Sequence, residues 1–334
     1  MDKNIVYLDL FSGLGSFAKG LLDAGFVFKK HYFSEIDKHA IANYHYNFKN
    51  ASYAGDINQF DTQEIQRPDV VSFGSPCQDL SLAGRRAGLK GRKSNLFFKA
   101  IEIIDKHRPR VFVFENVAGL FSSNKGKDFE IVLQTIAKLG VYECQWQLIN
   151  TAWFLPQNRE RVYLVGCHRD EPRGTVFPLH VPYEKDRPFE RKIELVGAVT
   201  DSGSQTCRVF EGTRLSPALM VATGFAAGYL AVGNRVRRLT PIEGERLQGL
   251  PDDWTKYGIY EGEQKVIADT HRYDLIGNAV SRPVVTEIGK ALLSGFNPSL
   301  NGFQPENISA LELESEALLL QFLFNKSSKS KRHD

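Results

Sequence analysis

The sequence has few cysteines, no long hydrophobic run and almost no net charge. Only four of its 334 residues are cysteines, and none forms a Cys-x-x-Cys pair, so neither a disulfide framework nor a zinc site is expected. No apolar run reaches the roughly 18 residues that cross a bilayer. Residues 1–4 lead directly into a strand-like run rather than a signal peptide. We therefore expect a reduced, cytoplasmic protein that binds neither a metal nor a membrane.

The charges are nearly balanced. The 42 Lys and Arg residues against 39 Asp and Glu residues leave a net charge of only +3, which neither demands nor excludes a nucleic-acid partner. The hydrophobic share of 42% and the charged share of 24% are typical of globular proteins and argue against a disordered or fibrous chain. The length exceeds that of one ordinary domain, so one large and one small domain are expected.

In the first half, short apolar runs alternate with helical patterns. Predicted strands cover residues 5–10, 32–34, 69–73, 111–114, 145–150 and 162–165, and predicted helices end at Gly25 or cover 38–47, 95–106 and 127–139. This alternation predicts the α/β class, with a doubly wound, mostly parallel sheet. Ligands of such sheets bind beyond the carboxyl ends of the strands, and every unusual motif in this half lies at such an end.

The composition changes near residue 170. The segment 170–237 is rich in Pro, Gly, Thr and Arg, which indicates a second, smaller, irregular β-rich domain. A helix is expected near Glu243–Gln248, and a strand, turn and helix over Tyr273–Gly289 are expected to pack back onto the first domain. The predicted domains are 1–169 together with 273–298, then 170–272, then a C-terminal extension over 299–334 with one helix at 309–325.

Glycines and carboxylates follow the first two predicted strands. Gly13, Gly15 and Ala18 fit the loose pattern G-x-G-x-x-G/A, which lets the backbone approach a ligand at a helix N-terminus. Glu35 ends the second strand, where a carboxylate can accept hydrogen bonds from both hydroxyls of a ribose. Asp56 could reach the exocyclic amine of an adenine. The pattern predicts an adenosine-bearing cofactor, and a dinucleotide fits as well, so an NAD-dependent oxidoreductase remains an alternative at this point.

A cysteine and a basic loop follow the third strand. Cys77 comes directly after the stiff turn 74–76, and residues 83–93 then carry five positive charges and three glycines. Such a loop cannot pack as core, and it suits a mobile lid over a polyanion. These flanks favour a reactive thiol over a small buried hydrophobic residue.

An acid and two arginines complete the candidate reactive groups. Glu115 follows the apolar strand 111–114, so partial burial is expected to raise its pKa and let it act as an acid. Arg159 and Arg161 face the same side of an extended segment. Two guanidiniums aimed at one pocket suit an anionic ligand and favour a thiolate. The three cysteines other than Cys77 lack such surroundings and are interpreted as structural.

Taken together, these motifs resemble those of the DNA (cytosine-5) methyltransferase family of bacterial restriction-modification systems. The resemblance covers roughly residues 5–290, and the motifs keep the family's order. They are Asp9–Gly15, Ser34–Asp37, Ser75–Gln78, Glu115–Val117, Gln157–Arg161, Arg238–Pro251 and Gly277–Val280. Each motif is short, but so many in the right order do not arise by chance.

The resemblance implies a methyltransferase of Rossmann-like fold and a mechanism. The Cys77 thiolate attacks carbon 6 of a cytosine and makes carbon 5 reactive. Glu115 holds and protonates the ring nitrogen N3, while Arg161 and Arg159 stabilise the developing charge. The methyl group comes from S-adenosyl-L-methionine. Because a stacked base cannot present its face to a thiol, the nucleotide is flipped out of the duplex.

The resemblance also implies two sets of binding residues. The cofactor is expected to contact Phe11, Gly13, Gly15, Glu35, Ile36, Asp56, Ile57, Pro76, Asn278 and Ala279. DNA is expected to contact Gln78, Ser81, Arg85, Arg86 and Arg92 in the lid, and Arg208, Arg214 and Arg235 in the target-recognition domain 170–272. Residues 206–208 are expected near the gap left by the flipped base. At Ile36 many relatives carry an aromatic residue, so the contact to adenine is expected to be weaker here.

The implied partner is double-stranded DNA, bound by a monomer in the cytoplasm of a bacterial or phage-infected cell, with a possible cognate restriction endonuclease acting separately. A tRNA cytosine-5 methyltransferase of the same superfamily is an alternative, although it usually carries Pro-Pro-Cys where this chain has Ser75-Pro76-Cys77. An NAD-dependent oxidoreductase leaves Cys77, Glu115 and Arg161 unexplained. A catalytically dead DNA-binding module is not expected, because every expected reactive group is present.

Overall fold

The architecture was examined in a computed structural model. It describes residues 1–60, 63–75, 95–171, 174–179, 193–198, 208–211, 216–219, 229–232 and 235–295. The predicted lid, the predicted nucleophile Cys77 and the C-terminal extension with its predicted helix lie outside the described residues.

A seven-stranded sheet forms the centre of the molecule, in the order β3-β2-β1-β4-β5-β8-β6. In chain order the strands are β1 (Asn4–Leu10), β2 (Val27–Ser34), β3 (Ser52–Tyr53), β4 (Val70–Phe73), β5 (Val111–Val117), β6 (Tyr142–Asn150), β7 (Gln157–Asn158), β8 (Glu160–His168), β9 (Leu195–Ala198), β10 (Arg208–Glu211), β11 (Ser216–Pro217), β12 (Tyr229–Val232), β13 (Arg235–Arg238), β14 (Tyr257–Tyr260) and β15 (Glu263–Val266). Strands β1 to β5 pair in parallel, and β8 runs antiparallel between β5 and β6. The predicted mostly parallel sheet is confirmed.

Helices cover both faces of this sheet. They are α1 (Ser16–Ala24), α2 (Lys38–Asn47), α3 (Asn95–His107), α4 (Lys127–Lys138), α5 (Pro241–Leu247), α6 (Asp269–Asn278) and α7 (Arg282–Gly295). Helices α1, α2 and α7 pack with Tyr7 and Val113 on one face, while α3 and α4 pack with Leu8 and Phe112 on the other. Because neighbouring residues of a strand point to opposite faces, β1 and β5 carry continuous apolar runs over residues 5–8 and 111–114, and this is why they stand out in the sequence.

Several expectations for the secondary structure were wrong; for example, β2 begins at Val27 rather than at residue 32, and the short strand β3 was not expected. The strand expected at the start of Tyr273–Gly289 is the helix α6, and α7 follows it. Apolar residues of α7 recur every three or four positions and pack against α1, so the helical period prevails over the β-branched pair Val284 and Val285. Strand β5 also continues past residue 114, because it pairs with β8 as far as Val117.

Outside the central sheet, residues 195–238 contribute the four-stranded sheet β13-β12-β10-β9. This agrees with the expected β-rich composition, while the predicted domain boundaries stay a prediction. The hairpin β14–β15 follows α5, and Gly258 of the hairpin lies against Ala42 of α2. The Nδ2 group of Asn43 in α2 donates to the carbonyls of Trp254 and Tyr257, at 2.9 and 2.8 Å. Along the described ranges, no helix is both long and apolar enough to cross a membrane.

Candidate active site

A cleft of about 370 Å³ opens at the carboxyl ends of β1 and β2, the edge where the sequence predicts a ligand. It collects eight of the ten residues expected to contact the cofactor: Phe11, Gly13, Glu35, Ile36, Asp56, Ile57, Asn278 and Ala279. These residues come from loops after β1, β2 and β3 and from the end of α6. Pro76 lies outside the described residues, and Gly15 does not line the cleft.

The loop after β1 depends on backbone conformations that most residues avoid. Phe11, Gly13 and Gly15 have φ values of 54°, 51° and 81°. A Cβ at Gly15 would collide with the Phe48 ring, so glycine is required there to start α1 against α2. A Cβ at Gly13 would instead enter open space. Phe11 pays about 1–2 kcal/mol for its left-handed conformation, and strain of this kind is typical of functional loops.

The Glu35 carboxylate is already engaged by the backbone. Its Oε2 accepts from the Gly13 N–H at 2.8 Å, and its Oε1 accepts from the N–H groups of Ile36 and Asp37 at 2.7 and 3.1 Å. A carboxylate offers about four acceptor positions, so one remains, on Oε2. The side chain therefore has room for one ribose hydroxyl rather than the two that the sequence suggests.

The cleft also contains polar residues that the sequence analysis missed. The buried hydroxyls of Ser12 and Ser16 lack hydrogen-bond partners within the described ranges. Both lie beside the glycines of the turn after β1, and this position could have indicated them as ligand-binding residues from the sequence. At the cleft mouth the rings of His39 and His271 stack with centroids 3.8 Å apart. Nothing local in the sequence indicates this pair, because the two residues come from α2 and α6.

Glu115 also lines this cleft. It lies within β5 and is only 7% exposed. Burial raises the pKa of its carboxyl group, and the nearby Arg161 and Arg159 guanidiniums partly oppose the rise. Arg161 Nε is 3.2 Å from Glu115 Oε1. On the other side, a Cβ at Gly74 would stand 3.2 Å from Glu115 Oε2, so the absence of a side chain at Gly74 leaves this oxygen space.

Arg159 does not share the orientation of Arg161 towards Glu115. Its Nη1 donates to the Leu219 carbonyl at 3.0 Å and to the Gly277 carbonyl at 3.4 Å, and its Nη2 donates to the Ala279 carbonyl at 2.8 Å. The expected pair of guanidiniums aimed at one pocket is therefore divided in two. Arg161 contacts the acid, whereas Arg159 secures the chain between α6 and α7 that lines the cofactor cleft.

The turn before Cys77 lies close to the acid strand. Asn116 of β5 is fully buried, and its Nδ2 group donates to the Ser75 hydroxyl at 3.4 Å. This contact joins the turn after β4 to the end of β5, at the residue that follows Glu115. Gln78, Ser81, Arg85, Arg86, Arg92 and Arg214 lie outside the described residues, as do the side chains of Arg208 and Arg235 and residues 206 and 207.

Comparison with known sequences decides the family. The profile described as C-5 cytosine-specific DNA methylase matches residues 5–216 and 200–294. The chain belongs to this family. Membership identifies it as a DNA cytosine-5 methyltransferase and removes the NAD-dependent oxidoreductase alternative.

Individual relatives agree with this family. The type II methyltransferase M.NgoBI of Neisseria gonorrhoeae is 34% identical over 83% of this chain and 90% of its own length. M.HpaII of Haemophilus parainfluenzae, also a type II methyltransferase, is 29% identical over 88% of this chain and 90% of its own. Among solved structures, the Dnmt2 methyltransferase of S. pombe superimposes with a TM-score of 0.65 at 17% identity, covering 88% of this chain and 99% of that one. The last likeness concerns the fold alone.

Proposed function

We propose that this DNA methylase transfers a methyl group from S-adenosyl-L-methionine to carbon 5 of a cytosine flipped out of double-stranded DNA, with Cys77 as the covalent nucleophile. One observation carries the proposal: the buried acid Glu115, with its raised pKa and its neighbour Arg161, lines the same cleft as the predicted cofactor residues. An acid and a methyl donor must meet in one cavity if both are to act on one base.

The residues of the cleft fit this cofactor. Glu35 keeps one acceptor position for a ribose hydroxyl, and Ile36 is 73% exposed, an apolar surface for adenine to cover. The hydroxyls of Ser12 and Ser16, which no described residue satisfies, suit the polar amino-acid end. We assign Asp56 and Ile57 to the adenine side and Asn278 and Ala279 to the methionine side. When bound, the cofactor supplies an electrophilic methyl group.

Glu115 and Arg161 support the attack on the base. The raised pKa of Glu115 favours the protonated carboxyl group, which gives its proton to ring nitrogen N3 as the Cys77 thiolate attacks carbon 6. Arg161 stabilises the negative charge that develops on the ring. Once carbon 5 is methylated, solvent water takes the proton of carbon 5, N3 returns its proton to Glu115, and the bond from carbon 6 to sulfur breaks with Cys77 leaving as the thiolate. In this scheme Arg159 is a positioning residue, because its guanidinium holds backbone carbonyls.

The DNA contacts are proposed on charge and position in the chain. The basic loop with Gln78, Ser81, Arg85, Arg86 and Arg92 closes over the phosphates, and domain 170–272 recognises the target through Arg208, Arg214 and Arg235. Extruding the base costs a few kcal/mol, which these contacts offset. Since the substrate is chromosomal or phage DNA, we propose that the protein acts as a monomer in the bacterial cytoplasm, protecting sites from a separate endonuclease.

The decisive experiment traps the covalent bond. A duplex containing 5-fluorocytosine blocks proton loss at carbon 5, so the wild-type protein and cofactor should form a stable adduct that maps to Cys77. Cys77→Ser should form none. Cys144→Ser is the matched control, since the Cys144 thiol is half-buried in β6 and burial raises its pKa to about 12; this variant should be trapped like the wild type.

The substrate arm uses bisulfite sequencing of DNA from expressing cells, beside methylation of a tRNA pool in vitro. We expect modified cytosines in one DNA sequence context and none in tRNA. Adduct formation by Cys77→Ser, or methylation confined to tRNA, would contradict the proposal.

A further inference from the structure

Tyr163 lies directly opposite the acid in the central sheet. Strand β8 pairs antiparallel with β5 in a register that sets Tyr163 against Glu115. The Cβ atoms of such a pair are about 4.5–5.5 Å apart, and their side chains share one face of the sheet. Both side chains are buried, Tyr163 at 1% exposure. Burial, and after it the adjacent Glu115 carboxyl group, raise the pKa of the Tyr163 phenol, so the two groups interact electrostatically.

Three buried polar atoms, two of this pair and one of Ser281, have no hydrogen-bond partner among the described residues. They are Glu115 Oε1, the Tyr163 hydroxyl oxygen and the Ser281 hydroxyl oxygen. Ser281 is fully buried just before α7, and its backbone N–H faces the Tyr163 phenol. Tyr163 therefore neighbours both Glu115 and Ser281, and the region around its hydroxyl connects the three groups. An unpaired buried polar atom costs about 1–3 kcal/mol, and native proteins usually meet this cost with an internal water.

We propose that a buried water bridges Glu115 Oε1, the Tyr163 hydroxyl and the Ser281 hydroxyl, and that Tyr163 thereby positions the catalytic acid. An internal water makes about three hydrogen bonds, the number this region offers. The inference rests on the proposed function, since it assigns Tyr163 a part in the same proton transfer. It concerns residues outside the motifs that the sequence resemblance supplies, because Tyr163 and Ser281 belong to none of them.

The bridge explains which oxygen of Glu115 carries the proton. Arg161 Nε stands 3.2 Å from Oε1 as an ion-pair partner, and the water adds the hydrogen bond that Oε1 otherwise lacks, so Oε1 is the carbonyl oxygen of the neutral acid. The proton then lies on Oε2, the oxygen beside Gly74, and Gly74 lines the cleft. The acid thus presents its proton to the cleft, where the base is proposed to enter.

A shift in the pH dependence of the methylation rate distinguishes the positioning role of Tyr163 from a role in packing alone. Among the described residues, the charged or titratable groups that face Glu115 are Arg159, Arg161 and Tyr163. A donor supplied through water favours the ionised carboxylate. Removing the Tyr163 hydroxyl should therefore raise the pKa of Glu115 further and move the alkaline limb of the methylation rate, where the acid loses its proton, to higher pH.

The test compares Tyr163→Phe with Tyr142→Phe. Tyr142 is also a buried tyrosine, but its hydroxyl donates to the Pro109 carbonyl at 2.9 Å, away from the cleft. Single-turnover methylation of a DNA duplex is measured against pH for wild type and both variants, together with cofactor affinity and Tm. We expect Tyr163→Phe to be about tenfold slower, as for loss of one average hydrogen bond, with its alkaline limb displaced upwards and its cofactor affinity unchanged. Tyr142→Phe should keep the wild-type rate profile.

Two results would overturn the bridge. One is a Tyr163→Phe profile that coincides with that of Tyr142→Phe; the other is a slower rate without displacement of the limb, which would indicate packing alone. A high-resolution crystal structure of the full chain should show a water within hydrogen-bond distance of Glu115 Oε1 and the Tyr163 hydroxyl, and a dry region would contradict the proposal. If the wild type itself fails to methylate DNA in this assay, the proposed function fails instead.

Discussion

At the scale of single residues, a buried acid beneath the cofactor loop connects protonation with folding. Asp9 is fully buried in β1 and accepts hydrogen bonds from the Tyr44 and Ser72 hydroxyls at 2.9 and 2.8 Å. Burial raises the pKa of Asp9 from 3.8 to about 7, although these hydrogen bonds oppose the rise. The folded protein therefore holds a proton over a pH range in which the unfolded chain has released it.

Stability should consequently fall with rising pH on account of Asp9. Between about pH 4 and 7 the folded state binds a proton that the unfolded chain has released. The stability that this proton contributes is complete below the pKa of Asp9 in the unfolded chain, and it is lost as pH rises through the pKa of Asp9 in the folded protein. At about 1.4 kcal/mol per pKa unit, the loss amounts to roughly 4 kcal/mol at most. His31 makes stability rise with pH instead, because burial lowers its pKa to about 3. A variant at Asp9 keeps His31, so this opposite contribution cancels when the variant is compared with the wild type.

Asp9→Asn should remove this dependence. Urea unfolding at pH 5 and pH 8 is expected to show the variant gaining stability relative to wild type as the pH rises, because an amide releases no proton. If the two proteins kept a constant difference across this range, Asp9 would be ionised in the folded state and its assignment as a proton holder would be wrong.

At the scale of elements, two arginines only two positions apart serve different parts of the structure. Arg159 joins the segment between β7 and β8 to the Leu219 carbonyl and to the chain after α6, whereas Arg161 contacts Glu115 in β5. The two side chains have different neighbours because Arg159 lies between β7 and β8, whereas Arg161 lies within β8.

The two arginine variants should therefore fail differently. Arg159→Ala leaves buried carbonyls without donors, at about 1–3 kcal/mol for each group, and it should lower Tm and weaken cofactor binding because Asn278 and Ala279 line the cleft. Arg161→Ala should bind cofactor normally but lose about 10²–10³ in the methylation rate, as for loss of one charge-stabilising donor. Thermal melts, calorimetric cofactor titration and single-turnover kinetics separate the two. Equal loss of cofactor affinity in both variants would contradict this division.

A buried ion pair connects α5 to α6. Glu245 is fully buried, and its Oε1 accepts from Arg272 Nη2 at 3.1 Å, while its Oε2 accepts from the Asp253 N–H at 2.8 Å. Glu245→Gln removes the one fully buried carboxylate that pairs with Arg272, and removing one member of a buried pair costs about 3–5 kcal/mol. Because Asp269 lies 3.3 Å from Arg272, we expect a loss near 3 kcal/mol in the free energy of unfolding.

The adjacent residue of α5 provides the control for this pair. Arg246 pairs with Asp252 on the surface, where solvent screens the charges, so Asp252→Asn should change the unfolding free energy little. Comparable losses in Glu245→Gln and Asp252→Asn would mean that burial does not strengthen the inner pair.

At the scale of the whole molecule, the nearly neutral chain must bind a polyanion through local clusters of positive charge. Its net charge is only +3, and some cations are already neutralised within the protein. Arg237, for example, donates to both Glu243 oxygens at 2.8 and 2.7 Å, and this contact lowers the pKa of Glu243 to about 2. The basic loop 83–93 is the cluster that we expect to meet the phosphates.

DNA affinity should therefore fall steeply with salt. In a plot of the logarithm of the binding constant against the logarithm of the salt concentration, each phosphate neutralised contributes about −0.9 to the slope. Arg85→Gln combined with Arg86→Gln should make the slope shallower, whereas Arg237→Gln should leave it unchanged, because Glu243 already compensates that guanidinium. Fluorescence anisotropy of a labelled duplex at several salt concentrations provides the measurement. A flat titration for the wild type, or a slope that responds only to Arg237, would exclude the loop as the phosphate contact.

The sequence by itself determined the α/β class, the mostly parallel sheet and eight residues that line one cleft, which we propose holds the cofactor. It could do so because buried parallel strands are continuous apolar runs, and because Gly13, Glu35 and Asp56 follow strands whose ends share one edge of the sheet. These signals are local. Even the burial of Glu115, which raises its pKa, could be inferred from the apolar strand before it.

Only the tertiary structure decided the partners of side chains that reach across the chain. Arg159 binds carbonyls 60 and 120 positions away, and Tyr163 faces Glu115 through the register of two antiparallel strands. Helix α6 forms where a strand was expected. Its consecutive residues Leu275 and Ile276 pack into two separate hydrophobic clusters, which residues from distant parts of the chain complete. Contacts of this kind depend on packing between distant segments, which local periodicity and short motifs do not encode.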